Sequence, residues 1–227
     1  MARRAIGGPG MDWTMERALG RVARGPRIRT IIDVGASSGI WFRKARRHFP
    51  GARGLLIEAQ AGPHRAALEA LRAADPLVDF VLAAAGDREG EIHFDASDPF
   101  GGAADLHPFD QDDVVVPMTS IDAEVGRRSL AGPFLIKLDT HGFEAEILDG
   151  ASTTLTETAI VIVEAYNFEL RPGVMRFHEL CALMQAKGFR CIDLADPMRR
   201  PKDRVLWQMD LVFAPAARPE FGDVAYG

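Results

Sequence analysis

Cysteine is nearly absent: Cys181 and Cys191 are the only two among 227 residues. Two thiols make no disulfide framework, so a reducing, cytoplasmic location is the expectation. Both fall on predicted regular elements and read as small core residues. No apolar run approaches the ~18 residues that a membrane-spanning helix needs. The start, MARRAIGGPGMDW, is basic but lacks the apolar stretch of a secretory leader. Positive charge is not in excess either. The 27 Lys and Arg against 32 Asp and Glu leave a net charge of −5, which argues against a dedicated nucleic-acid binder. No internal repeat is visible. With 47% hydrophobic and 26% charged residues the composition is that of an ordinary globular chain. Its length suits one large domain, or one domain with appendages, that needs no disulfide or metal staple.

Charge is spread unevenly. Arg3, Arg4, Arg17, Arg21, Arg24, Arg27 and Arg29 make the beginning basic, and Arg43, Lys44, Arg46 and Arg47 follow. Solvated helix faces account for this; a patch for an anionic partner is the alternative. The stretch 95–113, DASDPFGGAADLHPFDQDD, has neither Lys nor Arg but two prolines and paired glycines. Structureless loops of that length are uncommon and usually functional, so we expect a mobile loop beside the site. Of the histidines, His48, His93, His107 and His178 show no ligand spacing and read as surface or loop residues.

Residues 1–29 are expected to form a Gly-broken arm and a helix from the N-cap Asp12 to about residue 23, with Trp13, Leu19 and Val22 as apolar contacts. Strands and helices then alternate. TIIDVG (30–35), GLLIE (54–58), VDFVLAAA (78–85), FLIKLD (134–139) and AIVIVEAY (159–166) read as strands. Helices are expected at 39–48, with Ile40, Trp41, Phe42 and Ala45 available for burial, at 63–74, from about Phe143, and at 174–187. FRCIDL (189–194) and VLWQMDLVFA (205–214) close the pattern, and residues 215–227 read as a flexible tail. Continuous apolar strands alternating with helices indicate a doubly covered, mostly parallel sheet. No helix fits between the last two strands, so one of them runs antiparallel. The expectation is a Rossmann-like α/β fold with about seven strands, one antiparallel near the edge, and helices on both faces.

The first strand leads into a glycine turn, Asp33-Val34-Gly35-Ala36-Ser37-Ser38-Gly39. Such a turn lets backbone approach a ligand at a helix N-terminus. A dinucleotide fingerprint wants a third glycine where Ile40 stands. The Asp33 carboxylate beside the turn suits a cationic ligand part better than a pyrophosphate. Glu58, at the end of the next strand, suits a grip on ribose hydroxyls, and Asp87 falls where a base edge is usually met. Further on, Asp139 and His141 end a central strand, where open α/β sheets place their ligands, and Glu164 ends the next.

LIKLDTHGFEAEILDGA at 135–151 resembles the signature of the FkbM family of methyltransferases. IIDVGASSG and LLIEAQ fall where that family has its first glycine turn and its Glu-Pro segment, and VVVPMTSIDAEV resembles its Thr-Leu-Asp segment. The likeness runs over about residues 30–165 and more weakly to 214. It departs at Ser37 (usually Asn), Ala59 (usually Pro) and His141 (usually Glu or Gln). The resemblance implies a class I fold over residues 30–214, S-adenosylmethionine as cofactor, and O-methylation of a sugar, glycan or secondary-metabolite hydroxyl. Asp33, Gly35, Ser37, Gly39, Glu58 and Asp87 are then the expected cofactor residues. Asp139, His141 and Glu164 are the expected catalytic ones, with His141 as base. No metal is expected, although Asp139, His141 and Glu164 with Asn167 would make an oxygen-rich divalent site. A nicotinamide oxidoreductase and a non-catalytic cofactor-binding module are the alternatives.

Overall fold

The structure, a computed structural model, describes residues 13–225. The expected arm, Arg3, Arg4 and the Asp12 cap lie outside the described residues. Helix α1 (Met15–Val22) is capped by Thr14, whose side chain accepts from the Arg17 N–H. It buries Met15, Ala18, Leu19 and Val22, while Trp13 stays largely exposed.

A seven-stranded sheet forms the centre. Its strands are β1 (Thr30–Val34), β2 (Arg53–Glu58), β3 (Val78–Leu82), β8 (Phe134–Leu138), β9 (Thr158–Tyr166), β10 (Phe189–Arg199) and β11 (Leu206–Pro215). The spatial order is β10-β11-β9-β8-β1-β2-β3. All neighbours are parallel except where β11 inserts antiparallel between β9 and β10. The expected fold is therefore present, with its one antiparallel strand next to the edge. β1 and β8 are buried along their whole length, which is why they read as unbroken apolar runs. Separate apolar clusters cover the two faces. Ile32, Ile57, Ile136 and Val163 belong to one; Ile31, Leu56, Leu135 and Ile162 belong to the other. Helices α2 (Ile40–His48) and α3 (Ala61–Ala74) follow β1 and β2. α2 buries Phe42 and Ala45, but Ile40, expected inside, is exposed because it opens the helix on the side away from the sheet.

A second, four-stranded sheet was not expected. β4 (Ala84–Ala85), β5 (Gly90–Asp95), β6 (Ala103–Asp105) and β7 (Asp113–Thr119) assemble in the order β4-β7-β5-β6. The third strand of the main sheet therefore stops at Leu82, and Ala84 and Ala85 pair with Met118 and Thr119 instead. The 95–113 stretch is likewise not one loop. Ala103, Ala104 and Asp105 pair with β5, leaving two short connections, 96–102 and 106–112. Ile92, Phe94, Ala104 and Met118 form a small core of their own.

Towards the C-terminus, α4 (Ile121–Arg127), α5 (Glu144–Asp149), α6 (Ser152–Leu155) and α7 (Phe177–Ala186) complete the helices. β10 runs five residues beyond the expected end at 194 and shortens the polar linker to a turn. Cys181 is half-buried, but Cys191 lies on the edge strand β10 and is exposed, which corrects its reading as core. Among the described residues no helix is long and apolar enough to cross a membrane.

Candidate active site

The turn after β1 is held by backbone geometry that only some residues tolerate. Gly35 has φ +73°, and a Cβ there would lie 2.1 Å from the Asp139 carbonyl oxygen. β1 and β8 thus meet backbone to backbone at their C-terminal ends. Gly39 has the same φ, but its missing Cβ would strike Leu71 and Leu56, so it seats α2 against β2 and α3. Ser37, at φ +50°, turns its N–H onto Glu58 Oε2 at 2.6 Å. Gln60 N–H takes Oε1 at 2.7 Å. Burial pushes the Glu58 carboxyl up, and these amides, with His64 nearby, pull against it.

Glu58, Gly35 and Ser37 line a cleft whose floor is apolar: Val34, Ile57, Ala83, Ala84, Ala85 and Ile147. Gly39 and Asp33 are not on its wall. Asp33 lies fully buried behind the turn, with Oδ2 unpartnered; burial lifts its carboxyl to about 7, against the pull of Lys137. Asp87 does not reach the cleft. It is exposed and ion-paired with its neighbour Arg88 at 2.8 Å, because the chain has already turned outward into the second sheet.

The 96–102 connection straps the open side of the cleft, with Pro99, Phe100 and Gly102 on its wall. Two side chains of the α3 end hold it. Gln60 Nε2 donates to Asp98 O at 2.9 Å, and His64 Nε2 donates to Pro99 O at 2.7 Å. That bond leaves His64 Nδ1 facing the Ser37 hydroxyl at 3.5 Å, with Phe100 against the ring. His64 is 2% exposed. Sequence reasoning missed it, and its spacing from Glu58 carried no recognisable signal. His64→Ala should release the strap while the fold stays intact. Hydrogen exchange at residues 96–102 is expected to speed up by at least tenfold relative to the parent, and equal protection would show that the strap holds without it.

The second half of the site is a buried charge network. Lys137, in the middle of β8, is 1% exposed. Its Nζ lies 2.9 Å from Asp210 of β11 and 3.4 Å from Asp139, and donates to Leu138 O at 3.1 Å. A lysine inside the apolar run FLIKLD was the available signal, and it was not taken up. Burial and the Asp139 charge raise the Glu164 carboxyl to about 7, against Lys137, and a hydrogen bond joins it to Asp139. Burial would raise Asp139 as well, but Lys137, that hydrogen bond and His141 outweigh it and keep the group ionised. Glu164 also accepts from the Tyr166 hydroxyl at 2.5 Å and from Gln208.

His141 sits at φ +55°, followed by Gly142 at +103° and Phe143 at +107°. Two non-glycine residues in this region mark local strain. Glu144, at the start of α5, holds the turn by accepting from Gly142 N–H at 2.8 Å, and Arg171 donates to His141 O at 3.0 Å. The imidazole packs on Tyr166 with Nε2 3.5 Å from Glu164 Oε2. Burial lowers its pKa below the ordinary histidine value, against the nearby Asp139 and Glu144 charges. Asp139, His141 and Glu164 thus converge, their ligand atoms lying within 4.8 Å of one another. Asn167 donates instead to Leu206 O. Lys137 pairs with Asp139, and Tyr166 and Gln208 engage Glu164, so ion pairs and hydrogen bonds join the members of this group.

A glycine turn, the buried acid Glu58 and this cluster lie at the ends of neighbouring strands of the sheet. The FkbM methyltransferase domain profile matches residues 33–191. The chain belongs to the FkbM methyltransferase family. The match runs from Asp33 past Glu164 but stops before Gln208 and Asp210. Among solved structures, the chain is similar to the methyltransferase FkbM of Methylobacillus flagellatus, with 18% identity and a TM-score of 0.48, covering 81% of this chain and 43% of that one. It is also similar to a Streptococcus pneumoniae protein, a candidate tRNA methyltransferase in complex with S-adenosyl-L-methionine (14% identity, TM-score 0.51, 89% of this chain and 73% of that one). A third, from Streptococcus agalactiae and of the NADB-Rossmann superfamily, shows 15% identity and a TM-score of 0.51 over 92% of this chain and 72% of that one. Comparison with curated proteins finds no match. Family membership sets aside the nicotinamide reading, and Ile40 stands where that fingerprint needs a glycine. S-adenosylmethionine is the methyl donor of this class, and the residues present fit it: an apolar slot, a buried acid at the end of β2 and carboxylates at Asp139 and Glu164.

Proposed function

We propose that the protein transfers a methyl group from S-adenosylmethionine to a hydroxyl of a sugar, glycan or secondary metabolite. The observation that carries this reading is the convergence of Asp139, His141 and Glu164 beside the cleft that Gly35, Glu58, Asp139 and His141 line. The bound donor supplies a methyl carbon on a cationic sulfur. The carbon–sulfur bond breaks as the carbon–oxygen bond forms, the sulfur keeps the electron pair, and the acceptor hydroxyl loses its proton.

In this reading Glu58 binds the ribose diol, Ser37 and Gly35 contact the donor through backbone, and Asp33 and Gly39 support the turn from behind. Asp139, kept ionised, faces the cationic end of the donor and orients the acceptor. His141 takes the acceptor proton, and Glu164, hydrogen-bonded to Tyr166, holds the imidazole in place. Burial keeps the imidazole in its neutral form, which offers a lone pair at neutral pH.

Glu58→Ala removes both the ribose contact and the acceptor of the Ser37 and Gln60 amides. Donor affinity should fall by about 1–3 kcal/mol, read by calorimetry; an unchanged dissociation constant would take Glu58 out of the site. The reaction class is tested with methyl-labelled donor against a panel of sugars, phenols, polyketides, amines and thiols. Label on oxygen supports the proposal, and label confined to nitrogen or sulfur overturns it. Donor binding with no transfer to any component of a cell extract would leave a binding module.

A further inference from the structure

We propose that Lys137 is a positioning residue for the methyl transfer: the buried counter-cation that fixes the Asp139 carboxylate at the mouth of the donor cleft. The inference rests on the reading of that cleft given above.

Lys137 does not line the cleft, yet it is the one cation at the centre of a carboxyl cluster drawn from four strands. Asp33 of β1 is its register neighbour on one side. Asp139 lies one residue past the end of β8, at 3.4 Å. Glu164 of β9 lies beyond, and Asp210 of β11, at 2.9 Å, is paired in register with Glu164. His141, Tyr166, Glu144, Arg171 and Glu58 are the other ionisable groups that act on the cluster's members. Asp33, Glu164 and Asp210 are largely withdrawn from water while Asp139 opens on the cleft, and one ammonium does not balance four ionised carboxyls there. Lys137 selects among them by distance. Its two ion pairs go to Asp139 and Asp210, whereas Glu164 accepts from Tyr166 and Gln208. The ammonium thereby keeps a negative charge on Asp139, the member of this cluster that lines the cleft. Its hydrogen bond to the Leu138 carbonyl locks it at the strand end from which Asp139 emerges.

A buried lysine this far inside a sheet is also open to a plain packing explanation, so the test uses readouts that packing does not move. In the ligand-free parent protein, carbon-detected NMR titration of labelled Asp side chains should show Asp139 ionised well below the usual carboxylate range. Titration of Asp139 at or above that range overturns the proposal. Lys137→Met should lower kcat at least tenfold. It should also move the acid limb of the kcat/KM profile up by one pH unit or more, because Asp139 then holds a proton into the working range. Lys137→Met combined with Asp210→Asn removes a cation and an anion together and serves where the single variant does not fold. The same shift is expected there. A folded variant of either kind with the parent's kcat and pH profile overturns the role. If the parent itself binds no S-adenosylmethionine, the cleft reading fails instead, and the NMR result still decides whether Lys137 governs Asp139.

Discussion

His141→Gln is expected to lower turnover by about 10²–10⁴-fold, the usual cost of a missing base, with donor affinity close to the parent's. The imidazole is held from three sides: Nε2 toward Glu164 at 3.5 Å, the ring on Tyr166, and the backbone carbonyl on Arg171. Glutamine fits the same turn and is a residue the family uses there, so the substitution removes the base and little else. Burial holds the His141 pKa below the ordinary value. The parent's activity should therefore fall only at a pH lower than an unperturbed histidine would give, as the ring takes up a proton and loses its lone pair. That limb should vanish in the variant. A variant as active as the parent across pH would assign proton removal to Asp139, to Glu164 or to bulk water.

The ligand-free protein should lose stability as pH rises from about 5 to 7. The Asp33 carboxyl stands at about 7 in the fold against 3.8 unexposed to burial, and Glu164 at about 7 against 4.5. Both bind protons more tightly folded than unfolded. Their contribution is full below the unfolded values and is lost as pH climbs through the folded ones. For Asp33 alone the gap amounts to roughly 4 kcal/mol. Carboxyls with lowered values, such as Asp79, Asp113 and Asp122, already carry their charge in both states at pH 5 and stay out of the window. His141, shifted down, works in the opposite direction and trims the effect. Urea unfolding at pH 5, 6 and 7 measures the slope. A rise in stability over that range would mean that the cluster ionises freely. Saturating donor should flatten the slope, since its positive sulfur neutralises the carboxylates as they form.

Legibility followed the physics of each segment. Strands buried on both faces announce themselves by unbroken apolar runs, so β1, β2, β8 and β9 were readable to within a residue or two. The second sheet was not. Its strands are short and partly exposed, and GEIHFD and DVVVPMT carry too many polar or mismatched positions to stand out beside a loop rich in Gly, Pro and Asp. At the site, Glu58, Asp139, His141 and Glu164 were visible because each ends a recognisable strand. Asp87 misled because its place in the order says nothing of the outward turn that follows Ala85. His64 and Lys137 were invisible in function, since a helix histidine and a mid-strand lysine acquire meaning only through partners far along the chain: Pro99 for one, Asp210 for the other.

The antiparallel insertion of β11 makes the charge cluster depend on sequence far from the cleft. Gln208 and Asp210 arrive on the last strand of the chain, yet they brace Glu164 and balance Lys137 in the middle of it. A polypeptide ending before residue 206 would contain every residue of the family match and still hold a half-neutralised ammonium and an unbraced glutamate. The charge balance beside Asp139 thus depends on β11 lying between β9 and β10, on residues outside the stretch that identifies the family.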